Sequence, residues 1–72
     1  MSDLIDHWLA GDFLPGVHYR LNDSVEITAG AHAGERGAVI TLLRVLPEPT
    51  YTVELGSGVD IEASQSDLLG VP

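Results

Sequence analysis

The 72-residue chain has no cysteine and no lysine, and its aromatic residues are one tryptophan, one phenylalanine and two tyrosines. The absence of cysteine excludes disulfide stapling and thiolate metal sites, and it fits a reducing compartment. Without lysine, all formal positive charge rests on three arginines, against eleven acids, for a net charge of −8. So small and so negative a body repels phosphate backbones and anionic lipid at long range. Nucleic-acid binding therefore needs a local basic patch; otherwise the acid excess serves solubility. Long hydrophobic runs are missing too. No stretch approaches the ~20 apolar residues of a membrane span. The opening "MSDLIDHWLAG" lacks the basic start and long apolar run of a signal peptide. The expectation is a soluble cytoplasmic protein without a cofactor. Its lysine-free, Ala- and Gly-rich composition fits a GC-rich bacterial genome.

What is present is enough to fold. Apolar residues make up 44% of the chain, well above the range of disordered sequences. A chain of this length buries only ~60% of its unfolded surface, so one thin-cored domain is expected. The texture changes near residue 21. In residues 1–20, Ser2 is placed to cap a short helix with Asp3 and Asp6 near its positive end. Leu4, Ile5, Trp8 and Leu9 fall at helical spacing on one face. Gly11 stops the helix, and Pro15–Gly16 marks a turn. Two turns of helix are marginal alone, so this segment is expected to pack on the rest, with Trp8 and Phe13 covering one open end. The other reading makes it a docking arm for a larger protein.

Residues 21–72 alternate with period two. Val25 and Ile27 alternate with Glu26 and Thr28 in a first strand. Gly37 to Leu46 forms a longer, more apolar strand that Pro47 and Pro49 end. Thr50 to Leu55 puts Tyr51, Val53 and Leu55 on one face. Gly56 to Gly58 is a hairpin turn. Val59 to Ala63 returns with Val59, Ile61 and Ala63 inward and Asp60 and Glu62 outward. "SQSDLL" (Ser64 to Leu69) reads as one short helical turn leading to a last strand or tail. Four to five short strands with turn signals between them predict an all-β small barrel carrying a short N-terminal helix.

The stretch "DSVEITAGAHAGERGAV" (Asp23 to Val39) is a strand, a loop punctuated by Gly30, Gly34 and Gly37, and a second strand opening at the last glycine. Asp23, Val25, Ile27, these glycines and Val39 resemble the KOW motif of NusG-like transcription factors and of a ribosomal large-subunit protein. The resemblance covers residues 23–46 and implies an SH3-like barrel, with RNA-associated work in transcription or translation. Each glycine is expected to relieve a Cβ clash where the loop turns back on the sheet. The electrostatics depart from the family. Where ribosomal relatives carry lysines that meet RNA phosphates, this chain has Ala31, His32, Ala33, Glu35, Arg36 and Ala38. Phosphate neutralisation supplies most nonspecific RNA affinity, so the loss moves the expectation toward a protein partner.

Signals for catalysis are weak. His7, His18 and His32 show no local spacing that resembles a zinc or iron site. Ser24, Ser57, Ser64 and Ser66 lie in strand or turn contexts, none at a nucleophile elbow. Asp60 and Glu62 share a strand face, with Glu26 and Glu54 also outward. Acid–base work would need one of them in an apolar pocket, for which a small barrel has little room. One barrel aromatic, Tyr51, does not make a methyl-lysine cage. The chain therefore reads as a non-catalytic interaction module with a protein partner, possibly basic. His32, Glu35, Arg36, Asp60, Glu62 and Trp8 are its candidate contact residues, with no catalytic, metal or cofactor site. The alternative is an RNA-associated protein using Arg20, Arg36 and Arg44, with Tyr19 stacking a base. A third reading is a regulatory subunit of an enzyme. Pairing of the arginines with the surplus acids competes with any arginine patch.

Overall fold

The structure is a computed structural model and describes residues 4–72. The proposed Ser2 cap and its Asp3 neighbour lie outside the described residues. Helix α1 spans Leu4–Leu9, followed by strands β1 (Ser24–Ile27), β2 (Arg36–Arg44), β3 (Thr50–Leu55) and β4 (Asp60–Ser64). A 3-10 turn, Gln65–Asp67, leads into β5, Leu68–Gly70. The strands form one antiparallel sheet in the order β4-β3-β2-β1-β5.

Strand β2 is the spine of this sheet. Its first residues pair with β1 (Glu26 opposite Arg36, Ser24 opposite Ala38). Its whole length from Gly37 to Arg44 pairs with β3 on the other flank. The register slips between Val39 and Thr41 and again between Leu42 and Arg44. Each slip is a bulge, which adds one residue, bends the strand and increases its twist. The first explains how Val39 and Leu42 are both buried although three apart, where an unbroken strand would send them to opposite faces. Curled this way, the sheet closes on a core of Val25, Ile27, Val39, Leu42, Tyr51, Val53, Leu55, Ala63 and Leu68. The architecture is an all-β, SH3-like small barrel with one short helix.

The three-residue loop Gly56–Gly58 has a clear geometry. Gly58 N–H donates to the Leu55 carbonyl (2.8 Å) and Leu55 N–H to the Val59 carbonyl (2.8 Å). Gly58 has φ +91°, the left-handed position that closes a type I turn with a G1 bulge. Val59 consequently sits at the mouth of this turn. It is exposed, which corrects the inward position expected for it.

Residues before the barrel are held by specific hydrogen bonds. Helix α1 ends in a Schellman motif: Gly11 (φ +86°) donates to Trp8 O and Asp12 to His7 O, at 3.0 and 2.9 Å. Trp8 is only 2% exposed and joins the core, and its indole Nε1 donates to Tyr19 O at 2.7 Å. Tyr19 meets Tyr51 edge to face at 5.7 Å, and its hydroxyl donates to Leu68 O. Gln65 completes the attachment. Its Oε1 accepts from His18 N–H (2.9 Å) and from the Tyr51 hydroxyl, while its Nε2 donates to Gly16 O (3.0 Å).

Two expectations for this segment are corrected. Leu4 and Leu9 are exposed rather than buried with Trp8, because only one turn of so short a helix can face the sheet. Phe13 is 75% exposed and covers nothing. The Schellman turn at Gly11 redirects the chain, so Leu14 and Val17, not Phe13, pack against the core.

Candidate functional site

The loop between β1 and β2 is built by its glycines for two different reasons. Gly30 and Gly34 adopt φ +84° and +91°, and a Cβ at either would meet nothing within 4 Å. They serve backbone handedness: Ala33 N–H reaches Gly30 O, and Gly34 N–H reaches Ile27 O at 2.7 Å. Gly37 has ordinary φ, but a Cβ there would run into the main-chain carbonyl of Glu54 on β3. Clash relief thus applies to Gly37 alone, which corrects the expectation that all three glycines serve it.

This loop faces the far edge of the sheet across an open groove of about 400 Å³. Ala29–His32 form one wall, and Ile61 and Glu62 of β4 form the other. Buried Ile27, Thr50 and Ala63 make the floor, with Ser64 and Asp67 at one end. A hydrogen bond from Thr28 N–H to Asp67 O (2.9 Å) holds the loop base against the 3-10 turn. Arg44 reaches into the groove from β2 and bonds Glu62 across the intervening β3.

Two arginines and two histidines pair with acids at the surface. Arg44 meets Glu62, Arg36 meets Glu26 at 3.3 Å, and His32 Nδ1 meets Glu35 at 2.9 Å. His7 meets Asp12 at 2.7 Å in the same way. Exposed pairs of this kind contribute ~0–1 kcal/mol each, so they orient side chains more than they hold the fold. Asp60 and Asp67 have no cationic partner among the described residues. The groove and its β4 rim are therefore net acidic. Among the described residues, no three His, Asp or Glu side chains form a group able to hold a metal ion, and no buried side-chain polar atom lacks a hydrogen-bond partner.

The sequence-derived contact residues separate into two groups. His32 and Glu62 line the groove, with Glu35 bonded to His32 and Asp60 on the same strand as Glu62. Arg36 lies elsewhere, in a separate depression with Ser24, Ala38, Glu54 and Val71. Trp8 is sealed in the core and is withdrawn as a contact residue. The three arginines are not gathered into a patch. Arg36 and Arg44 occupy the two ends of β2, each against a glutamate, and Arg20 precedes β1. Tyr19, offered as a base-stacking ring, is half-buried with its hydroxyl engaged by the main chain. Sequence reasoning missed Ile27, Thr50, Ile61, Ser64 and Asp67 as groove residues, because they come from separate elements and no local pattern links them.

No protein-family model matches this chain, and no curated protein matches it. A solved structure does match: the NMR structure of the Bacillus subtilis protein YorP. The likeness covers 86% of this chain and 81% of YorP, with 25% sequence identity and a TM-score of 0.68. The two share a fold. That agreement extends over nearly the whole barrel and supports the strand arrangement described above.

No helix among the described residues is long and apolar enough to cross a membrane.

Proposed function

We propose that this protein is a small non-catalytic interaction module that binds a basic protein partner in the groove between its glycine loop and β4. One observation carries the reading: an open groove of about 400 Å³ whose floor is largely apolar, Ile27 and Ala63 beside Thr50, and whose rim is acidic. An apolar floor with a few polar groups on the rim is the usual form of a recognition site. The surplus of eleven acids over three arginines would also speed encounter with a basic partner by steering. The glycine loop's resemblance to the KOW motif fits a role beside transcription or translation machinery. There, a basic RNA-binding protein is a natural partner for an acidic cytoplasmic barrel in a bacterial cell.

The test compares the wild-type chain with Asp60→Lys/Glu62→Lys as affinity bait against the proteins of its host. A partner retained at low salt by the wild type and lost from the double variant supports the reading. Equal retention by both, or none by either, overturns it. Fluorescence anisotropy with single-stranded and structured RNA decides the alternative. Salt-sensitive RNA binding that disappears in Arg36→Glu would replace a protein partner with RNA.

A further inference from the structure

The groove's second wall is also an end of the sheet. Strand β4 pairs with β3 and with no other strand among the described residues. The phase of its hydrogen bonds follows from the hairpin. Leu55 and Val59 are hydrogen-bonded opposite each other, and pairs alternate along an antiparallel ladder. Ile61 and Ala63 therefore bond to β3, while the N–H and C=O groups of Asp60 and Glu62 point away from the sheet.

Edges of this kind are commonly blunted by proline, a bulge or lysines. β4 has none of these. Its register against β3 runs unbroken from Asp60 to Ser64, and its sequence, DIEAS, is free of proline and lysine. Its guard is negative charge, and that guard is selective. A second copy of this chain would set Asp60 and Glu62 against its own surplus of acids, and like charges facing across strands repel. A segment carrying Lys or Arg gains from Asp60, which has no cationic partner among the described residues, and from Glu62 where it displaces Arg44.

We infer that β4 is a strand-addition site whose occupant is an extended basic segment of another protein. This rests on the protein-binding reading above and names its mode. The added strand exchanges main-chain hydrogen bonds with Asp60 and Glu62 and lies about 4.8 Å from β4. Side chains alternate between two faces. Small apolar ones pass over Ile27, Ile61 and Ala63, and basic ones meet Asp60 and, in competition with Arg44, Glu62.

The experiment uses the full chain, isotope-labelled, titrated at low salt with the peptide Lys-Val-Lys-Val-Lys-Val-Lys. Two further peptides carry N-methyl groups on every valine or on every lysine, and an oligolysine of equal length is the charge control. The alternating peptide is expected to shift the amide signals of Asp60 and Glu62 and to slow their hydrogen exchange. One N-methyl pattern, the one that blocks the edge-facing amides, should weaken binding about tenfold. On the protein side, Glu62→Gln keeps the outward N–H and Glu62→Pro removes it. A larger loss for the proline variant supports the inference without touching the peptide. Equal binding by both methylated peptides and by oligolysine, all abolished by Glu62→Lys, overturns strand addition while leaving the acidic groove as a binding surface. No binding by any basic peptide overturns both.

Discussion

The glycine loop allows a direct test of why each glycine is there. In Gly37→Ala the new Cβ would overlap the Glu54 carbonyl oxygen and lie 2.9 Å from the Glu54 carbonyl carbon and 3.0 Å from Leu55 Cα. All three atoms are main chain of β3, so no rotamer change relieves the contact. β2 and β3 must separate where Gly37 faces Leu55, next to the bond from Gly56 N–H to Arg36 O. Overpacking of this kind costs about 1–3 kcal/mol, and a weakened ladder bond adds about 1 kcal/mol. The expected loss is about 2–4 kcal/mol, out of roughly 4–11 kcal/mol for a chain of this size. Gly34→Ala meets no atom and strains only its left-handed φ, at about 1–2 kcal/mol. Urea unfolding followed by the fluorescence of Trp8, the single tryptophan, measures both. A Gly37→Ala variant as stable as Gly34→Ala would refute the packing argument.

Gln65→Leu removes three hydrogen bonds at once, to His18, Tyr51 and Gly16. It should destabilise by about 2–4 kcal/mol, with faster amide exchange at His18 than in β3; protection unchanged at His18 would count against the tether. Burial raises the Tyr51 phenol above 10.0, against main-chain hydrogen bonds from Tyr19 and His18 that lower it. The folded state then holds this proton more tightly than the unfolded one, so the contribution is full below about pH 10 and lost as pH rises further. Urea midpoints across the alkaline range should fall more steeply for wild type than for Tyr51→Phe, and parallel curves would contradict this. Trp8→Ala should cost about 3–5 kcal/mol, whereas Phe13→Ser should stay within about 0.5 kcal/mol. Thermal melts of the two variants decide whether the core holds one of these aromatics or both.

Much of the barrel was readable because its strands obey simple periodicity. Thr50 to Leu55 alternates cleanly and forms β3 over those same residues, with Tyr51, Val53 and Leu55 buried. The end of the chain was readable too: a short turn at Gln65–Asp67 and then β5. The long second strand was harder. "AVITLL" is apolar throughout, so its pattern does not say which residues face inward. The bulge after Val39 makes that choice, and it arises from pairing with β3. Val59 was misplaced for a related reason: Gly58 takes up the turn and leaves its neighbour at the rim.

The candidate site was legible only in part. His32, Glu35, Asp60 and Glu62 drew notice for their charge or their place in the loop. Nothing in the chain's order says that residue 30 faces residue 62, since that proximity comes from a sheet curling on itself. Burial sorted the aromatics, too. Trp8 and Phe13 look alike on paper, but the turn at Gly11 sends one inward and leaves the other outside.

By itself, the sequence determined the fold class, the turns and the surface charge. Alternation, glycines and prolines act over a few residues, and net charge is a sum that needs no geometry. Only the tertiary structure decided which glycine is there for space, which aromatic is core and where an apolar floor meets an acidic edge. Those depend on contacts between residues far apart in the chain, and such contacts exist only once β2 has bent and the barrel has closed.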